Sequence, residues 1–265
     1  MAAEVNNSTQ DLLDSRNLTK RFGGLTAVDK LNLVVRSNEI LGLIGPNGSG
    51  KTTFFNVVTG IYPTSEGQII FDGKDVTNLP SQAIYHAGIA RTFQRSRLSL
   101  SLSIFDNIMI GNRRWLNQGL WFNLVRRAAF KRQFEESFTQ ARELVEVFDP
   151  PLADHMFDAV GGLPMIDRRR IEICRALISR PKLLLLDEPS AGMTHEETTQ
   201  LMDDLLEVKN RFEDLTIIII EHEMGVIERV TNTCVVLNFG QKICEGTYQE
   251  VSDDKLVQQA YLGIQ

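Results

Sequence analysis

The chain has 265 residues, 43% of them apolar, and a formal net charge of −6. That is enough apolar material for one large domain, or one domain with a sub-domain. The acidic balance argues against non-specific binding of nucleic acid, and the lack of any apolar run of about 18 residues argues against a membrane-spanning helix.

In chain order, residues 1–14 are polar and acidic and lack the basic-then-apolar pattern of a secretory signal. They are expected to form a loose tail ahead of a domain over residues 15–265. Ala27–Arg36 alternates in the manner of a half-exposed strand. Ile40–Ile44 is a short apolar run of the buried-strand type. It leads into a glycine-spaced loop, Gly45-Pro46-Asn47-Gly48-Ser49-Gly50-Lys51-Thr52, followed by Thr53, and Thr52–Thr59 reads as the start of a helix. A strand, this loop and a helix in that order form a phosphate site. Glycines let backbone N–H groups approach phosphate oxygens, and the helix N-terminus favours their charge. Lys51 supplies a mobile positive charge and Thr52 a hydroxyl for Mg²⁺.

Further on, Gln68–Phe71 with Asp72-Gly73 reads as a strand and turn. Ile89–Phe93 precedes Gln94, a candidate Mg²⁺ ligand or water sensor. From Ile104 to Leu177 helical patterning dominates. Phe134, Phe138, Ala141, Val145 and Phe148 fall on one apolar helix face, and Asp149-Pro150-Pro151 ends that helix. Within this block, Arg113–Arg132 mixes basic residues (Arg113, Arg114, Arg126, Arg127, Lys131, Arg132) with Trp115, Trp121 and Phe122. It is either a face for acidic lipid or a membrane partner, or a solvated helical surface with packed aromatics.

Leu183–Leu186 then runs into Asp187-Glu188-Pro189. Such a strand delivers two carboxylates to its C-terminal edge, where ligands bind in open α/β sheets. Asp187 is the expected Mg²⁺ holder, and Glu188 the expected general base for an attacking water. Thr216–Ile220 ends at Glu221-His222, which offers His222 to a terminal phosphate. Cys234–Leu237 is another buried-strand run. Apolar strands alternating with helical segments indicate an α/β fold with a largely parallel core sheet. Cys174, Cys234 and Cys244 sit among apolar neighbours without metal-ligand spacing and read as buried free thiols in a reducing compartment.

This order of parts resembles the ATPases of ABC transporters over nearly the whole chain. The stretches FNVVTGIYPTSEGQIIFDGKDVTNLP, GIARTFQ, LDEPSAGMTHEET, IIEHEMGVIERV and QQAYLG are similar to the LivG-type ATP-binding subunits of branched-chain amino-acid importers. The resemblance implies a RecA-like P-loop core, an N-terminal antiparallel β sub-domain and an inserted helical sub-domain at about residues 104–177. Gly45–Thr53 matches Walker A, and Gln94 the Q-loop glutamine. Asp187 matches the Walker B aspartate, Glu188 the catalytic glutamate, His222 the switch histidine, and Phe22 the aromatic that stacks on adenine. The implied activity is Mg²⁺-dependent ATP hydrolysis coupled to permease movement. The implied partners are a second ATPase subunit, two integral-membrane permeases and, indirectly, a periplasmic binding protein. The implied place is the cytoplasmic face of a bacterial inner membrane. A regulatory subunit with little turnover and a soluble non-transport ABC ATPase are the alternatives.

One segment departs from the family. Counting back from RRRIEICRAL, the signature falls on Leu163-Pro164-Met165-Ile166-Asp167. Proline stands where the family has serine, and Ile166 where it has glycine. Pro164 has no donor and Ile166 adds bulk near the backbone, while Arg168, Arg169 and Arg170 offer positive charge in partial compensation. Thr194 and His195 also depart from the usual acidic or amide residue and proline. Groups acting on the chain's own ATP are kept while the signature offered to a partner is altered, which points to an asymmetric heterodimer with a LivF-type subunit.

Overall fold

The structure, a computed structural model, describes residues 10–94, 97–112 and 127–262. It divides into two compact units, Met1–Ala87 with Glu213–Gln265, and Gly88–Phe212.

The first unit opens with a hairpin of β1 (Asp11–Phe22) and β2 (Leu25–Arg36), closed by Gly23-Gly24. Leu31, Leu33 and Val35 face inward and alternate with exposed Asn32, Val34 and Arg36, as the sequence pattern predicts. Strand β1 starts earlier than the expected tail boundary, so Asp11–Asp14 belong to the sheet. The reason is local: Leu12 and Leu13 are buried, and Leu13 pairs with Val35 on one side and Phe71 on the other. After β3 (Ile40–Ile44) and α1 (Lys51–Val58) come β4 (Glu66–Phe71), β5 (Lys74–Asp75) and α2 (Ser81–Ala87). Asp72 and Gly73 both take positive φ, the requirement of a tight two-residue hairpin turn. The order β2-β1-β4-β5 makes an antiparallel sheet.

The second unit contains β6 (Ile89–Arg91), α3 (Ile104–Met109), α4 (Arg127–Phe148), α5 (Pro150–Ala153), α6 (Met165–Leu177), β7 (Leu183–Asp187) and α7 (His195–Arg211). Strands β6 and β7 pair in parallel. The apolar stripe of α4 buries Ala141, Val145 and Phe148, while Phe138 is half-buried and Phe134 is exposed. Phe105 of α3 gathers Phe134 and Phe138 at 5.3 and 5.5 Å, and Phe138 stacks on Phe157 at 5.3 Å. Asp149 ends α4 by capping α5, accepting the Leu152 N–H at 3.1 Å ahead of Pro150 at the first helical position. Of the basic-aromatic stretch, Arg113, Arg114, Trp115, Trp121, Phe122 and Arg126 lie outside the described residues. Lys131 and Arg132 sit on the exposed face of α4 beside Glu135 and Glu136, one turn on.

The chain completes the first unit with β8 (Thr216–Ile220), α8 (Met224–Val230), β9 (Thr233–Asn238), β10 (Gln241–Gly246), α9 (Tyr248–Asp253) and α10 (Lys255–Leu262). Strands β8 and β9 flank β3 in parallel, and β10 returns antiparallel to β9. Every residue of β3 and β8 is buried, which accounts for their unbroken apolar sequences. Cys174 and Cys234 are buried free thiols as expected, and burial pushes both thiols up from their usual pKa; Cys244, on the edge strand β10, is only half-buried.

Arg170 anchors the helices of the second unit. Its guanidinium, 3% exposed, meets Asp149 and Asp167 at 3.0 Å and Asp204 at 2.9 Å. Burial raises the Asp204 carboxyl while Arg170 pulls it down. Replacing Arg170 by Ala leaves three acids facing one another, at an expected cost of about 3–5 kcal/mol. With the arginine gone, Asp204 rises further. The native state then binds protons that the unfolded chain releases, so stability recovers as pH falls through that raised range. Urea unfolding of Arg170→Ala at pH 8 and pH 5 is expected to show the larger defect at pH 8.

Candidate functional site

In the first unit, β3 ends directly in the phosphate loop. Gly45 has φ +143°, and a Cβ there would lie 2.1 Å from the Leu237 carbonyl oxygen at the end of β9. Gly50, at φ +105°, is the N-cap of α1, and a Cβ there would lie 2.4 Å from the Ala27 carbonyl oxygen of β2. The loop is therefore wedged between two strands where only glycine fits. It leaves the first N–H groups of α1 without intrahelical acceptors and aimed at the helix mouth. Lys51 is buried and folded back over the loop, its Nζ donating to the Gly45 oxygen at 2.6 Å and the Pro46 oxygen at 3.1 Å.

His222 follows β8, the parallel neighbour of β3, so it stands at the same strand-end edge as the loop. Its side chain is exposed, and its backbone N–H donates to Glu221 at 3.3 Å. Phe22, at the tip of the first hairpin, is 41% exposed and meets Tyr62 edge-on at 5.2 Å. Lys20 Nζ lies 4.8 Å from the Phe22 ring centroid. Tyr62 carries no motif, and sequence reasoning missed it.

In the second unit, Asp187 and Glu188 emerge at the end of β7. Glu188 takes φ +49°, a left-handed turn that sends its side chain away from the strand. The Thr92 N–H donates to the Leu185 oxygen at 3.0 Å, which carries the β6–β7 pairing onward and delivers Gln94 to Glu188. Gln94 Nε2 donates to Glu188 Oε2 at 2.6 Å. The structure thus brings together two predicted site residues that are 94 positions apart.

Asp187 shows a partner that sequence reasoning missed. Arg91, on β6, donates from Nη2 to Asp187 Oδ2 at 2.6 Å, with both side chains nearly fully buried. Burial lowers the Arg91 pKa, and the hydrogen bond and charge of Asp187 offset part of that. The available signal was a charged residue inside an otherwise apolar strand, since such a residue is rarely buried without a partner.

The segment expected to hold the altered signature, Leu163–Asp167, lies at the start of α6. Pro164 is the N-cap, with no side-chain capping bond. Two expectations about this segment are corrected. Ile166 is buried, so its bulk turns into the unit and leaves Pro164 and Met165 exposed. Arg169 and Arg170 do not supply free positive charge: Arg169 pairs with Glu172 at 2.7 Å, and Arg170 with its three aspartates. Arg168 turns back to the Gly161 oxygen at 2.6 Å. Thr194, expected to depart from the family pattern, has a local use. It caps α7 in a reciprocal box with Glu197, accepting the Glu197 N–H at 3.2 Å.

Comparison with known proteins agrees with this geometry. The family model for ABC transporters matches residues 28–191, and that for the branched-chain amino acid ATP-binding cassette transporter matches residues 241–264. The high-affinity branched-chain amino acid transport ATP-binding protein LivG of Salmonella typhimurium is 36% identical over 96% of this chain and 99% of its own length. The corresponding protein BraF of Pseudomonas aeruginosa is 35% identical over the same shares. Among solved structures, the ADP conformation of an ATP-binding cassette from an ABC transporter superposes with a TM-score of 0.82 at 30% identity, covering 96% of this chain and all of that one. A nucleotide-free cassette gives 0.81 at 29% identity over 95% and 99%. The chain belongs to the ABC transporter family, as one of its nucleotide-binding ATPase subunits. Among the described residues, no helix is long and apolar enough to cross a membrane.

The Arg91–Asp187 pair yields a test. Arg91→Met strands a buried carboxylate and is expected to cost about 3–5 kcal/mol, whereas Arg91→Met with Asp187→Asn recovers much of that loss. Denaturant unfolding of the two single variants and the double variant measures the coupling.

Proposed function

We propose that this chain hydrolyses ATP in an importer of branched-chain amino acids or related small molecules. The observation that carries the reading is the Gln94–Glu188 hydrogen bond at 2.6 Å, which ties a loop amide to a strand-end carboxylate. A general base has to come within hydrogen-bond reach of the water it activates, and Glu188 stands just past the end of β7 with a neighbouring amide to orient it. The names of the relatives support the transported class.

In this reading Gly45, Pro46, Asn47, Gly48, Ser49, Gly50, Lys51, Thr52 and Thr53 cradle the phosphates, and Phe22 packs against adenine. Glu188 accepts the proton of the attacking water. His222 orients the terminal phosphate. The hydroxyl of Thr52, the amide oxygen of Gln94 and the carboxylate of Asp187 are hard oxygen donors, a set that suits Mg²⁺. Mg²⁺ held by such donors would supply charge neutralisation for the phosphate oxygens. Arg91 engages Asp187 through Oδ2 and Gln94 engages Glu188 through Oε2, one oxygen of each carboxylate.

The chain would dock as a peripheral subunit on the cytoplasmic face of a bacterial inner membrane, against two permeases served by a periplasmic binding protein. Its second ATPase subunit would be of the LivF type. Pro164, which lacks an N–H donor at the start of α6, supports an asymmetric pair with one fast site and one slow site. The same residue favours a second reading, a regulatory ATP-binding subunit with little turnover of its own.

Mg²⁺-ATPase assays of the chain alone and mixed with a LivF-type partner test both readings. Activity is expected to be weak alone and to rise sharply on mixing. Glu188→Gln in the mixture should lower kcat by about 10²–10⁴-fold while ATP binding persists. Unchanged turnover by Glu188→Gln would remove Glu188 as the base, and full activity of the lone chain would remove the asymmetry.

A further inference from the structure

Within the second unit a cavity of about 170 Å³ lies among three helices. None of its lining residues was expected to meet nucleotide. Helix α4 supplies Gln140, Glu143 and Leu144, three and four positions apart on one helix face. Helix α6 ends there with Leu177 and its C-cap Ile178, followed by Arg180. Helix α7 ends there with Arg211 and its C-cap Phe212. Leu144, Leu177 and Ile178 are buried and Phe212 is half-buried, so part of the lining is apolar. Pockets for drug-sized ligands run to about 300–1,000 Å³. This smaller space suits a small metabolite and excludes a nucleotide or a folded peptide.

The polar side chains at this cavity have no partner within the fold. Among the described residues, no ion pair or side-chain hydrogen bond engages Gln140, Glu143, Arg180 or Arg211. Arginines elsewhere on the same helices are paired: Arg142 with Glu146 and Asp154, and Arg170 with its three aspartates. Glu143 lines the cavity together with two arginines and pairs with neither. Arg180 takes φ +51°, and its backbone N–H donates to the Leu177 oxygen at 2.8 Å. Glycine fills such a left-handed position after a helix without steric cost. The turn itself therefore does not account for an arginine there. A basic residue at a helix C-terminus does complement the dipole. That explains a cation at each helix end, but neither the apolar lining nor the carboxylate that shares the cavity.

We propose that this cavity binds a free α-amino acid with a branched aliphatic side chain. The guanidinium groups of Arg180 and Arg211 take the carboxylate. The carboxylate of Glu143, the amide oxygen of Gln140 and the negative ends of α6 and α7 take the ammonium. The alkyl group packs on Leu144, Leu177, Ile178 and Phe212. Both ligand charges are needed. A plain anion would face Glu143, and a plain amine would face two arginines. A ligand held here touches α4, α6 and α7, and so reinforces the helix assembly that Arg170 anchors. In an importer of such amino acids, as proposed above, that ligand is the delivered product, and the cavity senses its level. The sensing role rests on that reading. The binding does not, because no lining residue belongs to the nucleotide site.

The test is equilibrium dialysis of the full chain, without nucleotide, against leucine. The comparison ligands are 4-methylpentanoate, which lacks the ammonium, 3-methylbutylamine, which lacks the carboxylate, glycine, which lacks the alkyl group, and inorganic phosphate. Leucine is expected to bind saturably. Each one-charged analogue should bind about three- to ten-fold more weakly, and glycine about ten-fold more weakly. The exposed positions allow Arg180→Gln, Arg211→Gln and Glu143→Gln without disturbing the core, and each should weaken leucine by about three- to ten-fold. No saturable leucine binding at millimolar concentration would overturn the proposal. So would undiminished leucine binding by the Arg180→Gln, Arg211→Gln double variant, which would place the ligand elsewhere. Equal or tighter binding of either one-charged analogue or of phosphate would also overturn it, because the cavity would then be a simple ion site. ATP binding by the parent and by Lys51→Ala is measured alongside. If leucine binds and ATP does not, the nucleotide reading falls and the cavity stands; if ATP binds and leucine does not, the cavity falls alone.

Discussion

A strand buried on both faces has one place to put its polar groups, and that is its end. Strands β3, β7 and β8 are each five residues long and buried throughout. Charged side chains within their span would have to be paired or neutralised. The residues proposed to carry chemistry accordingly stand just past each strand: the phosphate loop after β3, Glu188 after β7, and His222, next to Glu221, after β8. Parallel pairing of β3 with β8 puts two of those ends on one edge. Asp187, the last residue of β7, is still inside the buried zone, and it is the acid that needs an arginine.

Much of this was legible in the sequence, because a short apolar run that stops at glycine, acid or histidine suits a buried strand with a polar end and little else. Ile40–Ile44, Leu183–Leu186 and Ile217–Ile220 all proved to be strand interiors, and Asp72-Gly73 a turn. What was not legible depends on pairing at a distance. The Leu12-Leu13 pair lies in a stretch that is polar on average, and only its partners Val35 and Phe71 make it a strand. Arg91 looks like a surface residue until β6 is laid beside β7.

The altered signature shows how composition misleads about charge. Three consecutive arginines after Pro164 suggest a positive patch. Two of them are drawn inward by Glu172 and by the aspartates at 149, 167 and 204, and the third bonds to a carbonyl. Buried ion pairs of this kind contribute little net stability, but they fix how helices meet, because each unpaired member would be costly. The segment expected to depart from the family signature is thus tied down by its own side chains. Pro164 and Met165 are the residues it leaves exposed.

The groups expected to act on nucleotide share one further property. Lys51 is bonded to loop carbonyls, Asp187 to Arg91, and Glu188 to Gln94. None waits as a bare charge, for which the desolvation cost would be high. Binding is then an exchange of partners, carbonyl for phosphate and amide for water, and each exchange is small in net energy because a hydrogen bond is broken for each one made. Discrimination between an occupied and an empty site must come from making these exchanges together.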